Sequence, residues 1–315
     1  MYSNKKVLLI AGGGTLGTYV SKELLRLGCQ VDVICPEEKV SDNERLCFLQ
    51  NYATDDFLSE LFAQEHYDGI VNFLHYKTVD AYKKIHPLLI ANTEHLIFLS
   101  SYRVYADEQH PITEDAPRLL DIINDPVFLE TEDYAIPKAK CEDFLNSECK
   151  GEPWTIVRPV ISFSDRRLDL LLYSGHDILN HAKQGKEMLL PSFVRDYSAG
   201  IDWAGNSGKL IANLLFKDAA IGQAFTVYSG HGLTWGEVAD AYSKLTGVKI
   251  RWCDEEEFAH ENPKIKRNPW TWKYDRKFNR DIDPSKILKV TGLNSSDFAS
   301  VSEGIEQELK NLQLQ

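Results

Sequence analysis

The stretch Lys6-Val7-Leu8-Leu9-Ile10-Ala11-Gly12-Gly13-Gly14-Thr15-Leu16-Gly17 decides how this chain is read. Its first half is a short apolar, β-rich run, the pattern of a strand buried on both faces in a parallel sheet. Its second half is a glycine turn. Leu16, Val20, Leu24 and Leu27 then recur at helical spacing until Gly28 stops the pattern, and Val31 to Cys35 forms a second apolar run. Strand, glycine turn, helix and strand in about thirty residues make the βαβ unit of a dinucleotide fold. Such a turn needs glycine because it is tight, because the backbone must approach a pyrophosphate, and because helix and strand pack closely. The phosphates sit where free helix N–H groups and the helix dipole favour anions. In the spacing G-x-x-G-x-x-G the three positions fall on Ala11, Gly14 and Gly17, so the first glycine is replaced, while Gly12 and Gly13 keep the turn permissive. Ala11, Gly12, Gly13, Gly14, Thr15, Leu16 and Gly17 are the candidates for the cradle. Read blandly, the same residues are a plain strand-to-helix turn.

Working outward, the second strand ends at Cys35-Pro36. An acidic residue there would hold an adenosine ribose and favour NAD, and an arginine would favour NADP. Neither stands there; Glu37, Glu38 and Lys39 lie just beyond. We expect NAD to be used at least as well as NADP, since the two glutamates would repel a 2′-phosphate, and NADP stays open. Further strands are expected at 46–49, 69–74, 96–100 and 154–158. Helices are expected from Asp55 and over 79–92, the latter bent or restarted at Pro87. Alternation of this kind predicts an α/β doubly wound parallel sheet, with ligands beyond the carboxyl ends of the strands. Cys35 and Leu74, at two such ends, are further candidates for cofactor contact, and His75 follows Leu74. Residues 106–132 read as a long irregular segment, the kind that often carries function. After Pro159 the pattern changes. Residues 1–160 with 201–229 are expected to form the dinucleotide-binding domain. Residues 161–200 and 230–315 are expected to form a smaller C-terminal substrate-binding domain. Within them we expect a helix over 201–216, a strand at 223–228, a capped helix from Thr234, a strand at 249–252 and a last helix over 296–312.

Composition narrows the function. With 315 residues and 43% hydrophobic content there is material for a sizeable core. A formal charge of −12 argues against a nucleic-acid partner while leaving room for a locally basic pocket. No apolar run reaches the length of a membrane span, and the N-terminus lacks the pattern of a signal peptide. The six cysteines show no C-x-x-C pair and no zinc spacing, so no metal is expected. They read as free thiols of a cytoplasmic protein.

A second stretch carries the chemistry. In Asp133-Tyr134-Ala135-Ile136-Pro137-Lys138-Ala139-Lys140-Cys141-Glu142, a helix would put Tyr134 and Lys138 one turn apart on one face. A cation near a phenol favours the phenolate, and such a tyrosine is a general base. Alone the pair is unspecific. Together with residues 7–17, Leu99-Ser100-Ser101-Tyr102-Arg103-Val104-Tyr105-Ala106 and Ile156-Val157-Arg158-Pro159, in this order, it resembles the extended short-chain dehydrogenase/reductase family of NAD-dependent epimerases and dehydratases. A weaker match runs from Ala224 to Glu237. The resemblance covers about residues 5–240.

The resemblance implies a role for each matched residue. Ser101 takes the place of the catalytic Ser/Thr, Tyr134 of the catalytic tyrosine, and Lys138 of its lysine partner, which also holds the nicotinamide ribose. Gly14 and Gly17 take the places of the pyrophosphate glycines. It implies a nucleotide-sugar substrate, reversible hydride transfer, and a homodimer formed through paired helices. There are departures. Tyr102-Arg103 stands where the 4,6-dehydratases carry the Asp-Glu pair used for water loss, and Asn72-Phe73-Leu74-His75 replaces the usual end of the fourth strand. Arg158, Arg195 and Lys209 are candidate diphosphate anchors, with a solvated charge the plainer reading of each. Trp270, Trp272 and Tyr274 are candidates to line a pocket or to fill the core. Three functions stand: a nucleotide-sugar epimerase or reductase, a ketone or aldehyde reductase on another substrate, and a catalytically silent Rossmann protein that binds dinucleotides or senses redox state.

Overall fold

The structure is a computed structural model, and it describes residues 2–313. Met1 and residues 314–315, at the outer limits of the expected domains, lie outside the described residues. Chain order runs β1 (Lys6–Ile10), α1 (Thr15–Leu27), β2 (Gln30–Cys35), β3 (Leu46–Gln50), α2 (Asp55–Phe62), β4 (Gly69–Asn72), α3 (Val79–Ile90), β5 (Leu96–Leu99), α4 (Leu119–Ile122), α5 (Pro126–Glu130), α6 (Ala135–Glu148) and β6 (Trp154–Pro159). With the strand Gln223–Val227 these form one seven-stranded sheet, ordered Gln223–Val227, β6, β5, β4, β1, β2, β3, with every neighbouring pair parallel. The order reverses between β1 and β4, where Ile10 lies beside Asn72. That reversal opens a crevice at the strands' carboxyl ends.

Period-two alternation explains why these runs are apolar throughout. Val7, Leu9, Val31, Val33, Val71 and Ile97 pack on one face, with Val20 and Leu24 of α1 and Leu210 and Ile211 of the helix Ala204–Leu214. Leu8, Ile10, Ile34, Ile70 and Phe98 pack on the other, with Tyr82 and Leu89 of α3 and Leu145 of α6. Both faces are covered, so neither tolerates a polar stripe. A separate cluster joins Phe163, Ile178, Trp235, Tyr242 and Phe258 to Tyr102 and Tyr105.

Several elements differ from the sequence reading. The helix expected over 201–216 begins as a strand, Ile201–Trp203, parallel to Ile161–Phe163, and becomes helical only at Ala204. Asp202 makes the break: its buried carboxylate accepts from Trp203 N, Asn206 Nδ2 and Ser229 N. Pro87 neither ends nor restarts α3; it is exposed, and its carbonyl still accepts from Ala91 N. Within 106–132 lie α4 and α5, the latter opened by Pro126 and capped by Asp125, which accepts from Phe128 N at 3.1 Å. Glu187–Pro191 forms an unforeseen strand beside Lys249–Cys253. The last helix is Val301–Gln313, preceded by a separate turn at Ser295–Asp297.

Candidate active site

The glycine turn leads from the end of β1 into α1. Ala11 sits at φ +55°, in the left-handed region that glycine adopts freely and alanine does not. A Cβ on Gly17 would lie 2.1 Å from the Gly12 carbonyl oxygen, so turn and helix touch there without room for a methyl. Gly14 is different: its missing Cβ would meet nothing within 4 Å, and the residue borders the main cavity. No side chain caps α1 at Gly14. The first N–H groups of the helix therefore face an open space of the kind an anion fills. Gly13 packs on Cys35, and its carbonyl accepts from Lys39 Nζ and from Arg166 Nη1 at 2.9 Å. Thr15 and Ser164 share a hydroxyl hydrogen bond of 3.0 Å. Ala11, Gly14, Thr15, Leu16 and Gly17 line the cavity. Gly12, Gly13, Cys35, Leu74 and Lys138 are not among its lining residues, and the Leu74 N–H is turned to Asn72 Oδ1.

The other end of the cavity is built from the end of β5 and the start of α6. Ser101 follows β5, is buried, and accepts from the Arg103 N–H at 3.2 Å. Tyr134 is the residue that begins α6, not one inside it. Its ring stacks on His75 at 5.0 Å, and the Arg103 guanidinium carbon lies 5.0 Å from the ring centroid. Lys138 Nζ lies 5.3 Å from the same centroid and donates to the Leu99 carbonyl. Burial raises the Tyr134 phenol above its ordinary value, opposed by Arg103, then Arg167, then a hydrogen bond from Ser101. Lys138 is 2% exposed, and burial holds its ammonium down to about 8. His75 is held below the usual imidazole value, by burial first and by Lys138 next.

Between the two ends lies a single cavity of about 580 Å³. Its remaining wall comes from Pro159 to Ser162, Arg167, Thr271, Asp275 and Arg276. The aromatic candidates do not line it: Trp272 and Tyr274 are buried in hydrophobic clusters, and Trp270 packs on Phe128. The diphosphate candidates are also occupied elsewhere. Arg158 forms a two-pronged pair with Glu142, at 2.9 and 2.8 Å, and donates to Tyr105 OH and the Glu114 carbonyl. Exposed Arg195 lies over Trp252, and Lys209 donates to the Asp297 carbonyl.

The cations that do line the cavity are Arg103, Arg167 and Arg276. Sequence reasoning passed over them as site residues. Arg276 and Arg280 share the buried Asp275 with Arg103, so three arginines converge on one carboxylate. The one available signal was Arg103 itself, two residues after Ser101. Folding also gathers His86, Cys149 and Glu152 near the amino end of β6, with candidate ligand atoms within 4.8 Å of one another. No spacing rule flags that trio, and its imidazole is already bonded to Glu152 and to Tyr82. All six cysteines are free. Among the described residues no helix is long and apolar enough to cross a membrane.

No family model matches the chain. Over 133 residues it is 29% identical to a UDP-glucose 4-epimerase of Lactobacillus helveticus, a match spanning 36% of this chain and 40% of the length of that protein. Among solved structures it is similar to a dTDP-glucose 4,6-dehydratase from Bacillus anthracis in complex with NAD. That likeness has a TM-score of 0.72, 13% identity, and coverage of 98% of this chain and 97% of the other. It is also similar to a UDP-glucose 4-epimerase from Thermotoga maritima solved with UDP-glucose, with a TM-score of 0.69, 15% identity, and coverage of 98% and 99%. At such identities the likeness speaks to the fold. The chain has the fold of the epimerases and dehydratases of the extended short-chain dehydrogenase/reductase type.

Proposed function

We propose that this chain is a NAD-dependent enzyme of that family, an epimerase or reductase that moves hydride to and from a hydroxyl-bearing carbon of a nucleotide sugar. The observation that carries the reading is continuity: one cavity has the open, uncapped start of α1 at one end and Ser101 with Tyr134 at the other. The named relatives, one complexed with NAD and one with UDP-glucose, support the ligand classes. The turn fits a dinucleotide because a side chain at Gly14 would occupy space that nothing else in the protein fills. When bound, the nicotinamide supplies the hydride chemistry.

The protein's own part is proton handling and placement. Tyr134 takes the proton of the substrate hydroxyl and returns it in the reverse step. Ser101 donates to the same oxygen and steadies the charge that develops there. Lys138, already turned toward the end of β5, is the residue to hold the nicotinamide ribose. Tyr102-Arg103 offers no acid–base pair for elimination of water, which favours epimerisation or reduction over dehydration.

Two variants test the reading together. Gly14→Leu is expected to fold as the parent, because a Cβ there meets no atom within 4 Å and the residue borders the cavity, and to lose NAD binding in a calorimetric titration. Tyr134→Phe is expected to keep NAD affinity and lose turnover by about 10²–10⁴-fold on the UDP- or dTDP-sugar that the parent converts, followed by solvent isotope exchange. Parent-like NAD binding in Gly14→Leu removes the cradle. Parent-like turnover in Tyr134→Phe removes the proton carrier and leaves a silent dinucleotide-binding protein.

A further inference from the structure

We propose that Arg103 is a positioning residue that holds a permanent positive charge against the Tyr134 ring and so favours the phenolate, a role separate from that of Lys138. The inference rests on Tyr134 as the proton carrier and deepens that reading. Its basis is placement. The guanidinium carbon lies 5.0 Å from the ring centroid, and His75 stacks at 5.0 Å. Arg103 is fixed from three directions: Nη2 reaches Asp133 Oδ2 at 3.2 Å and Thr271 Oγ1 at 3.5 Å, and Nε lies 3.3 Å from Asp275 Oδ2. Asp133 is the residue immediately before Tyr134, so the contact that seats the cation also ties it to the start of α6.

The two cations near the ring differ in kind. A guanidinium keeps its charge at any pH the fold survives. Lys138 sits in a dry site with its ammonium turned to a backbone carbonyl, and its charge fades as pH rises past about 8. Of these two, Arg103 is therefore the cation that remains in the alkaline range where a phenol ionises. The charged and titratable groups facing Tyr134 are Arg103 beyond β5, His75 beyond β4, Asp133 just before it, Lys138 on α6, Arg167 from the segment after Ile161–Phe163, and Asp275 across the cavity. Arg103 and Arg167 favour the phenolate, and Asp275 opposes it. Arg103 is pinned, whereas Arg167 is exposed and 3.9 Å from its nearest carboxylate, Asp169.

The test places 3,5-difluorotyrosine at position 134 of the full chain and follows its single fluorine resonance against pH. This probe ionises well below tyrosine, inside the range where the fold holds. Arg103→Met is expected to raise the midpoint by about one unit or more, the scale of an opposite charge at this range. Arg103→Lys is expected to restore at least half of the shift. An unchanged midpoint in Arg103→Met overturns the proposal. A shift that Arg103→Lys fails to reverse assigns the effect to packing and overturns it too. Should Arg103→Met not fold, Arg103→Gln keeps a donor toward Asp133 and Asp275 without the charge. The same rise is expected there, and its absence is decisive. Neither substrate nor turnover enters the measurement, so this inference and the proposed activity fail separately.

Discussion

Lys138 and Glu142 lie one turn apart on α6, and both are buried, at 2% and 0% exposure. Glu142 is matched on every side. Arg158 grips it with two nitrogens, Arg118 adds a third contact at 3.3 Å, and Tyr105 closes the far side of Arg158. Burial pushes that carboxyl up, and the two arginines overcome it and hold it below its ordinary value. Lys138 has no carboxylate within bonding range among the described residues, only a backbone carbonyl, and its ammonium is correspondingly weakened. The difference separates two uses of buried charge. A charge with its full complement of partners fixes a core, and one left short of a counter-ion stays in its weakened form.

The sharpest way to break this comparison is Glu142→Gln. It strands Arg158 in a dry site and is expected to cost about 3–5 kcal/mol in chemical unfolding. A loss near zero would mean that the pair is not sealed. The opposite sign is expected for Lys138→Met. A fall from 10.5 to about 8 corresponds to roughly 3 kcal/mol of penalty at ~1.4 kcal/mol per unit. Leaving the Leu99 carbonyl unmet takes back about 1 kcal/mol. A gain of about 2 kcal/mol near neutral pH is expected, together with loss of turnover. Its pH dependence follows from linkage. Between about 8 and 10.5 the unfolded chain binds more protons than the folded one, so parent stability rises with pH in that window. The advantage of Lys138→Met is thus full below pH 8 and fades above it. A variant gain that stays constant across the window would contradict the buried-ammonium account. The smallest effect belongs to Arg118→Ala. Arg118 reaches the solvent side and divides its contacts among Asp121, Asp143 and Glu142. Arg158 keeps Glu142 paired, so about 1 kcal/mol is expected in the same unfolding experiment.

Most of the sheet was legible because a strand buried on both faces announces itself as a mainly apolar run, and β1, β4, β5 and β6 all do. The strand Glu187–Pro191 was not. It pairs with a segment about sixty residues away, and its own residues carry no alternation that would separate it from a loop. The start of α6 was readable from spacing, yet spacing placed Tyr134 inside the helix, whereas it stands at the helix start. Arg103, Asp275 and Arg276 were hidden for a related reason. Residues 103 and 275 are far apart in the chain, and charge convergence leaves no trace in local pattern. The aromatic run at 270–274 pointed inward while its polar neighbours Thr271, Asp275 and Arg276 reached the cavity, a division of faces that composition alone does not resolve.

The glycine turn, finally, carries a map of which substitutions a selection would keep. Three neighbouring positions are intolerant for three unrelated reasons. At 11 the backbone is left-handed, so only residues at ease there, glycine above all, should match or outcompete the native alanine, while β-branched replacements are lost. At 17 the carbonyl of Gly12 excludes any side chain, so every replacement is removed by a screen for folding alone. At 14 a Cβ meets nothing within 4 Å and the backbone is not strained, so a folding screen is expected to retain small side chains, which a screen for ligand capture removes. A pair of libraries at these sites, sorted once for expression and once for dinucleotide retention, would write the division of labour inside one turn as two different sequence logos.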